Sequence, residues 1–164
     1  MINPELISKC AQLLIEKGLT IAFAESATAG RICAEFALAE NAGQFLKGGL
    51  NCYDATLKET LLGVKPTDIE LFSPESLMIT RAITEGLGNL IPADIHVGCT
   101  GLTCPGGSET EQKPVGTMFT HGILHGKMLF AHKSFFQGSP EEIIAQTVEK
   151  TASLLISHLC YVLI

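Results

Sequence analysis

Residues 19–30 read LTIAFAESATAG, and the parsing of this run decides the fold. From Leu19 to Ser26 it is short, apolar and free of Gly or Pro, which predicts a buried strand. The next four residues, Ala27 to Gly30, are too small to fill a core. They do let backbone and hydroxyls come close to something else, either the start of a helix or a bound molecule. Beyond them, ATAGRICAEFALAE (27–40) is predicted to be helical, with Ile32, Phe36 and Ala39 on one face. A buried strand feeding a helix is the unit of an α/β sheet, in which ligands sit beyond the carboxyl ends of strands.

Working outward, Asn3-Pro4 opens a helix with Leu6, Ile7, Cys10, Leu13 and Leu14 at helical spacing, closing near Gly18. FLKGGLNCY (45–53) is a second strand. Asp54 is placed to cap ATLKETLL (55–62), which stops at Gly63 with Pro66 beyond. Ser73-Pro74 is expected to open a longer helix carrying Ile79, Ile83 and Leu87. DIHVGCTG (94–101) is a third strand and runs into the loop LTCPGGSETEQKP (102–114). Two further strands, 115–124 and 127–136, are joined by His125-Gly126 as a hairpin. Ser139, Pro140 and Glu142 begin a capping-box helix reaching about Leu159, with Ile144, Val148, Leu155 and Leu159 facing inward. The expected fold is α/β: a single three-layer α/β/α domain, residues 1–164, around a mixed sheet.

Composition removes several function classes. The chain has 164 residues, 46% hydrophobic and 17% charged, with a net charge of −6. Its eleven Lys and Arg are scattered, and only Arg31 and Arg81 are arginines, so no basic face for nucleic acid is visible. The longest apolar run, LLISHLCYVLI (154–164), is too short to span a bilayer, and MINPELISKC reads as a capped helix start. A cytoplasmic protein with no membrane role and reduced thiols is expected. The six cysteines form no Cys-x-x-Cys pair, and the five histidines lack catalytic or ligand spacing, so no metal is expected.

The remaining motifs are AESATAG, YDATLKETLLGV, FSPESLMITRAITEG and CTGLTCPGG…KPVGT, in that order. Together they resemble the CinA carboxy-terminal-domain family, the nicotinamide mononucleotide amidohydrolases, over about residues 5–159. The resemblance implies hydrolysis of the carboxamide of nicotinamide mononucleotide to nicotinate mononucleotide and ammonia, a step of pyridine-nucleotide salvage. It implies no metal or organic cofactor, a small-molecule nucleotide substrate and a homodimer. The family's Glu-Ser-Cys-Thr-Gly-Gly corresponds to Glu25-Ser26-Ala27-Thr28-Ala29-Gly30, with Ala27 in place of cysteine and Ala29 in place of the first glycine. Tyr53, Lys58 and Leu62-Gly63-Val64 match its second signature, and Thr100-Gly101 with Pro105-Gly106-Gly107 its third; Cys104 replaces an alanine. Arginines of the form Gly-Asp-Arg-x-x-x-Arg would fall at Pro140 and Ile144. Their loss removes planar, bidentate donors suited to a phosphate, for which Arg31 and Lys133 are the candidate replacements.

Amide hydrolysis needs a nucleophile, a base and donors for the developing oxyanion. Ser26 is the candidate nucleophile, Lys58 its base and Tyr53 a proton relay or an orienter of the amine. A base at Lys58 must be neutral, and its place in the first turns of a helix with partial burial pushes in that direction. On spacing alone Lys58 also reads as a solvated helix lysine, and Ser26 as a helix cap. Thr28 competes for the cap, which would leave Ser26 free. Thr28, Gly30, Thr100, Gly101, Gly106 and Gly107 are the candidate substrate-binding residues, the glycines through exposed amides or simply as turn residues. Glu25 either orders the site by a hydrogen bond or ends the strand. A pocket that binds a nucleotide without turning it over is the alternative function, motivated by residues 140 and 144.

Overall fold

In the computed structural model, which describes residues 1–162, one five-stranded sheet runs between two helical layers. Residues 163 and 164, the end of the apolar C-terminal run, lie outside the described residues. The elements are α1 (Pro4–Glu16), β1 (Ile21–Glu25), α2 (Arg31–Ala37), β2 (Leu46–Asn51), α3 (Ala55–Leu62), α4 (Pro66–Phe72), α5 (Leu77–Leu90), β3 (Ile95–Gly101), β4 (Thr117–Leu124), β5 (Lys127–Phe135) and α6 (Pro140–Leu159). Strand order is β2-β1-β3-β4-β5; β2, β1 and β3 are parallel, and β4 and β5 add antiparallel. The expected mixed sheet and three layers are observed.

Strand alternation divides β1 between two cores. Ile21 and Phe23 face α1, α2 and α6, where Phe23, Phe36 and Phe45 form a chain of rings with centroids 5.1 and 6.4 Å apart. Each such pair adds about 0.5–1.5 kcal/mol beyond its buried area. Ala22 and Ala24 face the other way, onto Leu62, Ile79, Ile83 and Leu87 of α3 and α5. Their small side chains let α5 lie close to the sheet. Gly98 does the same on β3: a Cβ there would stand 2.2 Å from Thr84 Oγ1.

Three boundaries differ from the sequence expectation. Helix α2 spans seven residues rather than 27–40, because Ala27–Gly30 form a turn that precedes it. Helix α5 is capped by Ser76, whose hydroxyl accepts from the Ile79 N–H at 3.2 Å, and not by Ser73. Helix α4, with Pro66 at its first turn, occupies a stretch for which the sequence predicts no helix. On α6 the core residue is Ile143, while Ile144 is only partly buried. The capping box of Ser139 and Glu142 and the cap at Asp54 are both present.

Candidate active site

Parallel pairing brings three strand ends to one edge of the sheet. The Ser26 N–H donates to Cys99 O at 2.9 Å, and the Cys52 N–H donates to Glu25 O at 2.7 Å. The chains leaving β1, β2 and β3 are therefore one backbone hydrogen bond apart where they enter their loops.

Glu25, only 1% exposed, organises the first of these loops. Its Oε2 accepts from Thr28 Oγ1 (2.7 Å), the Gly30 N–H (3.1 Å) and the Ile32 N–H (2.9 Å), and its Oε1 from the Cys33 N–H (2.7 Å). A carboxylate from the strand thus caps the helix that follows, an anion at the positive end of a short dipole. Thr28 is a donor to that carboxylate rather than the cap. To complete the turn, Ala29 adopts φ 50° and Gly30 φ 93°. The left-handed region disfavours an alanine by about 1–2 kcal/mol.

Folded this way, the turn leaves its first residues unspent. Ser26 Oγ and the N–H groups of Ala27 and Thr28 make no hydrogen bond among the described residues. Ser26 and Ala27 line a cavity of about 220 Å³ with Tyr53, Glu75, Gly101 and residues 102–107. A free hydroxyl followed by a free amide is the arrangement that acyl transfer uses for nucleophile and oxyanion donor.

Lys58 follows from the cap at Asp54, whose carboxylate accepts from the Thr56 N–H at 2.8 Å and fixes the register of α3. That register turns Lys58 inward until it is 1% exposed, so it is no solvated lysine. Its Nζ donates to Cys52 O at 3.0 Å and to Tyr53 O at 3.3 Å, and it has no carboxylate partner among the described residues. Burial pushes its pKa below the ordinary lysine value, against the weaker opposing pull of Cys52, Glu75 and Asp54. A neutral amine has two N–H groups and one lone pair, and two carbonyls accept what it can donate. No hydrogen bond joins Lys58 Nζ to Ser26 Oγ; Ser26 stands on the loop after β1, and Lys58 reaches from α3 to the carbonyls of the chain leaving β2.

The other expected residues are distributed as follows. Tyr53 is 60% exposed at the cavity rim. Thr100 is fully buried and outside the cavity lining, its hydroxyl 2.8 Å from that of Thr80. Because Thr80 donates its own proton to Ser76 O at 2.6 Å, Thr100 is the donor of the pair. Gly30 is committed to Glu25. Gly101 lies in the wall, where a Cβ would meet Met118 Sδ at 2.3 Å and Thr117 O at 2.7 Å. The Gly106 N–H donates to Glu109 at 2.7 Å, and this contact, with help from the Glu109 and Gly107 amides, holds the Glu109 carboxyl below its usual range. Arg31 pairs with Glu35 at 2.6 Å and lines a different cavity, beside Ser139 and Glu142. Lys133 donates to Gln112 O at 3.2 Å and lies over Phe119, also outside the Ser26 cavity.

Sequence reading missed a second cluster, which meets the cavity wall only through Glu75. Lys113 Nζ donates to Ser73 Oγ (2.6 Å), Ser108 Oγ (2.6 Å) and Glu75 O (2.9 Å), and Ser108 Oγ donates to the Glu75 carboxylate. Burial lowers the Lys113 pKa. Nothing local in the sequence signals this cluster, because its members lie up to forty residues apart.

The six cysteines are free thiols: Cys10, Cys52 and Cys99 are buried, Cys33 is intermediate, and Cys104 and Cys160 are exposed. Burial raises the Cys10 pKa to about 12 and that of Cys99 further still. Among the described residues no helix is long and apolar enough to cross a membrane.

The comparison with known proteins agrees with this architecture. A CinA-like protein of Sulfurihydrogenibium sp. (strain YO3AOP1) is 33% identical over 141 residues, 86% of this chain and 35% of the relative. One from Petrotoga mobilis is 36% identical over 131 residues, 80% of this chain and 32% of the relative. The chain therefore spans about a third of the length of these curated relatives. A crystal structure of a competence-damaged protein (CinA) superfamily member from Klebsiella pneumoniae superposes with a TM-score of 0.91 at 25% identity, covering 97% of this chain and 98% of that one. The profile of the CinA C-terminal domain matches residues 3–159, and the chain belongs to that family.

Proposed function

We propose that this chain is an amidohydrolase of the pyridine-nucleotide salvage type, cleaving the carboxamide of nicotinamide mononucleotide or a close relative by a Ser-Lys mechanism. The observation that carries the reading is the Ser26 hydroxyl in the cavity wall, followed directly by the Ala27 amide, both unpaired among the described residues. In this reading Ser26 Oγ attacks the carboxamide carbon, and the Ala27 N–H, with that of Thr28, receives the oxyanion. The serine proton passes to the neutral amine of Lys58, with Tyr53 at the rim as relay. Lys58 returns it to the departing nitrogen, which leaves as ammonia. Water then hydrolyses the acyl-serine, giving the carboxylate product. Gly101, Gly106 and Gly107 shape the wall that holds the ring. A single-domain unit of residues 1–164, a homodimer and a cytoplasmic location belong to the same proposal.

Ammonia release from nicotinamide mononucleotide and from nicotinamide riboside tests it. Ser26→Ala removes turnover, and Lys58→Met lowers kcat/KM by roughly 10²–10⁴-fold, the usual contribution of a general base. The rate of the wild type rises with pH as Lys58 loses its proton, with a midpoint below the ordinary lysine value, and this limb vanishes in Lys58→Met. Equal ammonia release by wild type and Ser26→Ala would overturn the reading. A binding module without turnover is the second reading, favoured by Pro140 and Ile144 on α6. It predicts a stabilisation of about 2.7 kcal/mol at 100 times the dissociation constant with no ammonia formed.

A further inference from the structure

We propose that the Ser26 cavity selects against a phosphorylated substrate, and that its preferred amide is the nucleoside, a glycosylated pyridinium carrying no phosphate. The inference rests on the amidohydrolase reading and refines its substrate. Three observations support it: two concern where negative charge already sits, and one concerns size.

The first is the wall itself. Among the residues lining the cavity, the one with a charged side chain is Glu75. No lysine or arginine lines it, and the nearby ammonium of Lys113 directs all three of its N–H groups to Ser73, Ser108 and the Glu75 carbonyl. A dianionic phosphate would enter against a carboxylate, and the nearby Lys113 has no N–H group left to offer it. A pyridinium ring would be attracted to that same carboxylate.

Second, the backbone arrays suited to an anion already hold one each. The amides at the start of α2 are taken by Glu25, and the Gly106 and Gly107 amides by Glu109. The free amides at Ala27 and Thr28 are adjacent to Ser26, where the reacting carbonyl oxygen needs them.

The third is size. At about 220 Å³ the cavity falls below the roughly 300–1,000 Å³ of sites that enclose drug-sized ligands. It has room for the amide-bearing ring and leaves the far end of a nucleotide unsupported. The reaction is a plain hydrolysis: the carboxamide C–N bond breaks, a C–O bond to water oxygen forms, and nothing is oxidised or reduced.

The test compares ammonia release from nicotinamide riboside and from nicotinamide mononucleotide by the wild-type chain, and then by Glu75→Gln. The expected result is a kcat/KM at least tenfold higher for the riboside, a preference that shrinks several-fold in Glu75→Gln. Equal or better turnover of the mononucleotide by the wild type would overturn the proposal while leaving the amidohydrolase reading in place. No ammonia from either compound would remove both. An unchanged preference in a folded Glu75→Gln variant would overturn the role of Glu75. Should that variant fail to fold, the wild-type ratio decides alone.

Discussion

Glu25 and Glu109 perform the same task at two depths. Each presents a carboxylate to backbone amides beside the cavity, Glu25 to those of Gly30, Ile32 and Cys33 at the start of α2 and Glu109 to the Gly106-Gly107 turn. Glu25 is shut away beneath the turn it organises, whereas Glu109 stands in solvent. Burial decides what each is worth. Water can replace Glu109 at its amides, but nothing can replace Glu25. The inner carboxylate therefore belongs to the fold and the outer one only to the shape of a loop.

Glu25→Ala should separate the two most sharply. It strands three amides and the Thr28 hydroxyl, and each buried unsatisfied group costs about 1–3 kcal/mol. A loss of at least about 3 kcal/mol is expected in urea denaturation, with activity gone. A loss below about 1 kcal/mol would erase the distinction between the two sites.

Ala29→Gly sharpens the inner half of the comparison. Relief of the left-handed alanine gains about 1–2 kcal/mol, and the greater freedom of glycine in the unfolded chain takes back about 0.5–1. A net stabilisation of up to about 1.5 kcal/mol is expected from the same denaturation curve. Destabilisation would mean that the turn is not held in the left-handed region by Glu25.

Glu109→Gln should give the smallest effect, leaving the melting temperature unchanged while proteolysis within 102–114 becomes faster. The pH dependence has the same sign. The folded pKa of Glu109 is depressed, so its contribution is full above the unfolded glutamate value and is lost as pH falls through the folded one. Loop cleavage should therefore accelerate in acid before the domain unfolds. Simultaneous loosening of loop and domain would contradict the division.

Local capping made much of the chain legible. Asp54 and Ser139 bond amides two and three residues ahead, so their spacing in the sequence already states the contact. The parallel strands were visible as apolar runs ending in Glu25-Ser26 and Thr100-Gly101. Glu25 itself was ambiguous because its partners extend eight residues ahead, past a turn whose shape depends on them. Helix α4 was hidden because Pro66 fits a first helical turn as well as a stop. The depth of Lys58 and the cluster at Lys113 are tertiary facts: periodicity put Lys58 on a helix but could not show that its carbonyl partners lie on the chain leaving β2.

The hydroxyl chain from Thr100 through Thr80 to the Ser76 carbonyl runs in one direction, with every proton assigned. It rivets the exit of β3 to the first turn of α5, so Gly101 and Glu75 ride on a common plate. A molecule that pushes on the glycine also displaces the acid, and the charge facing it travels with the wall it leans on.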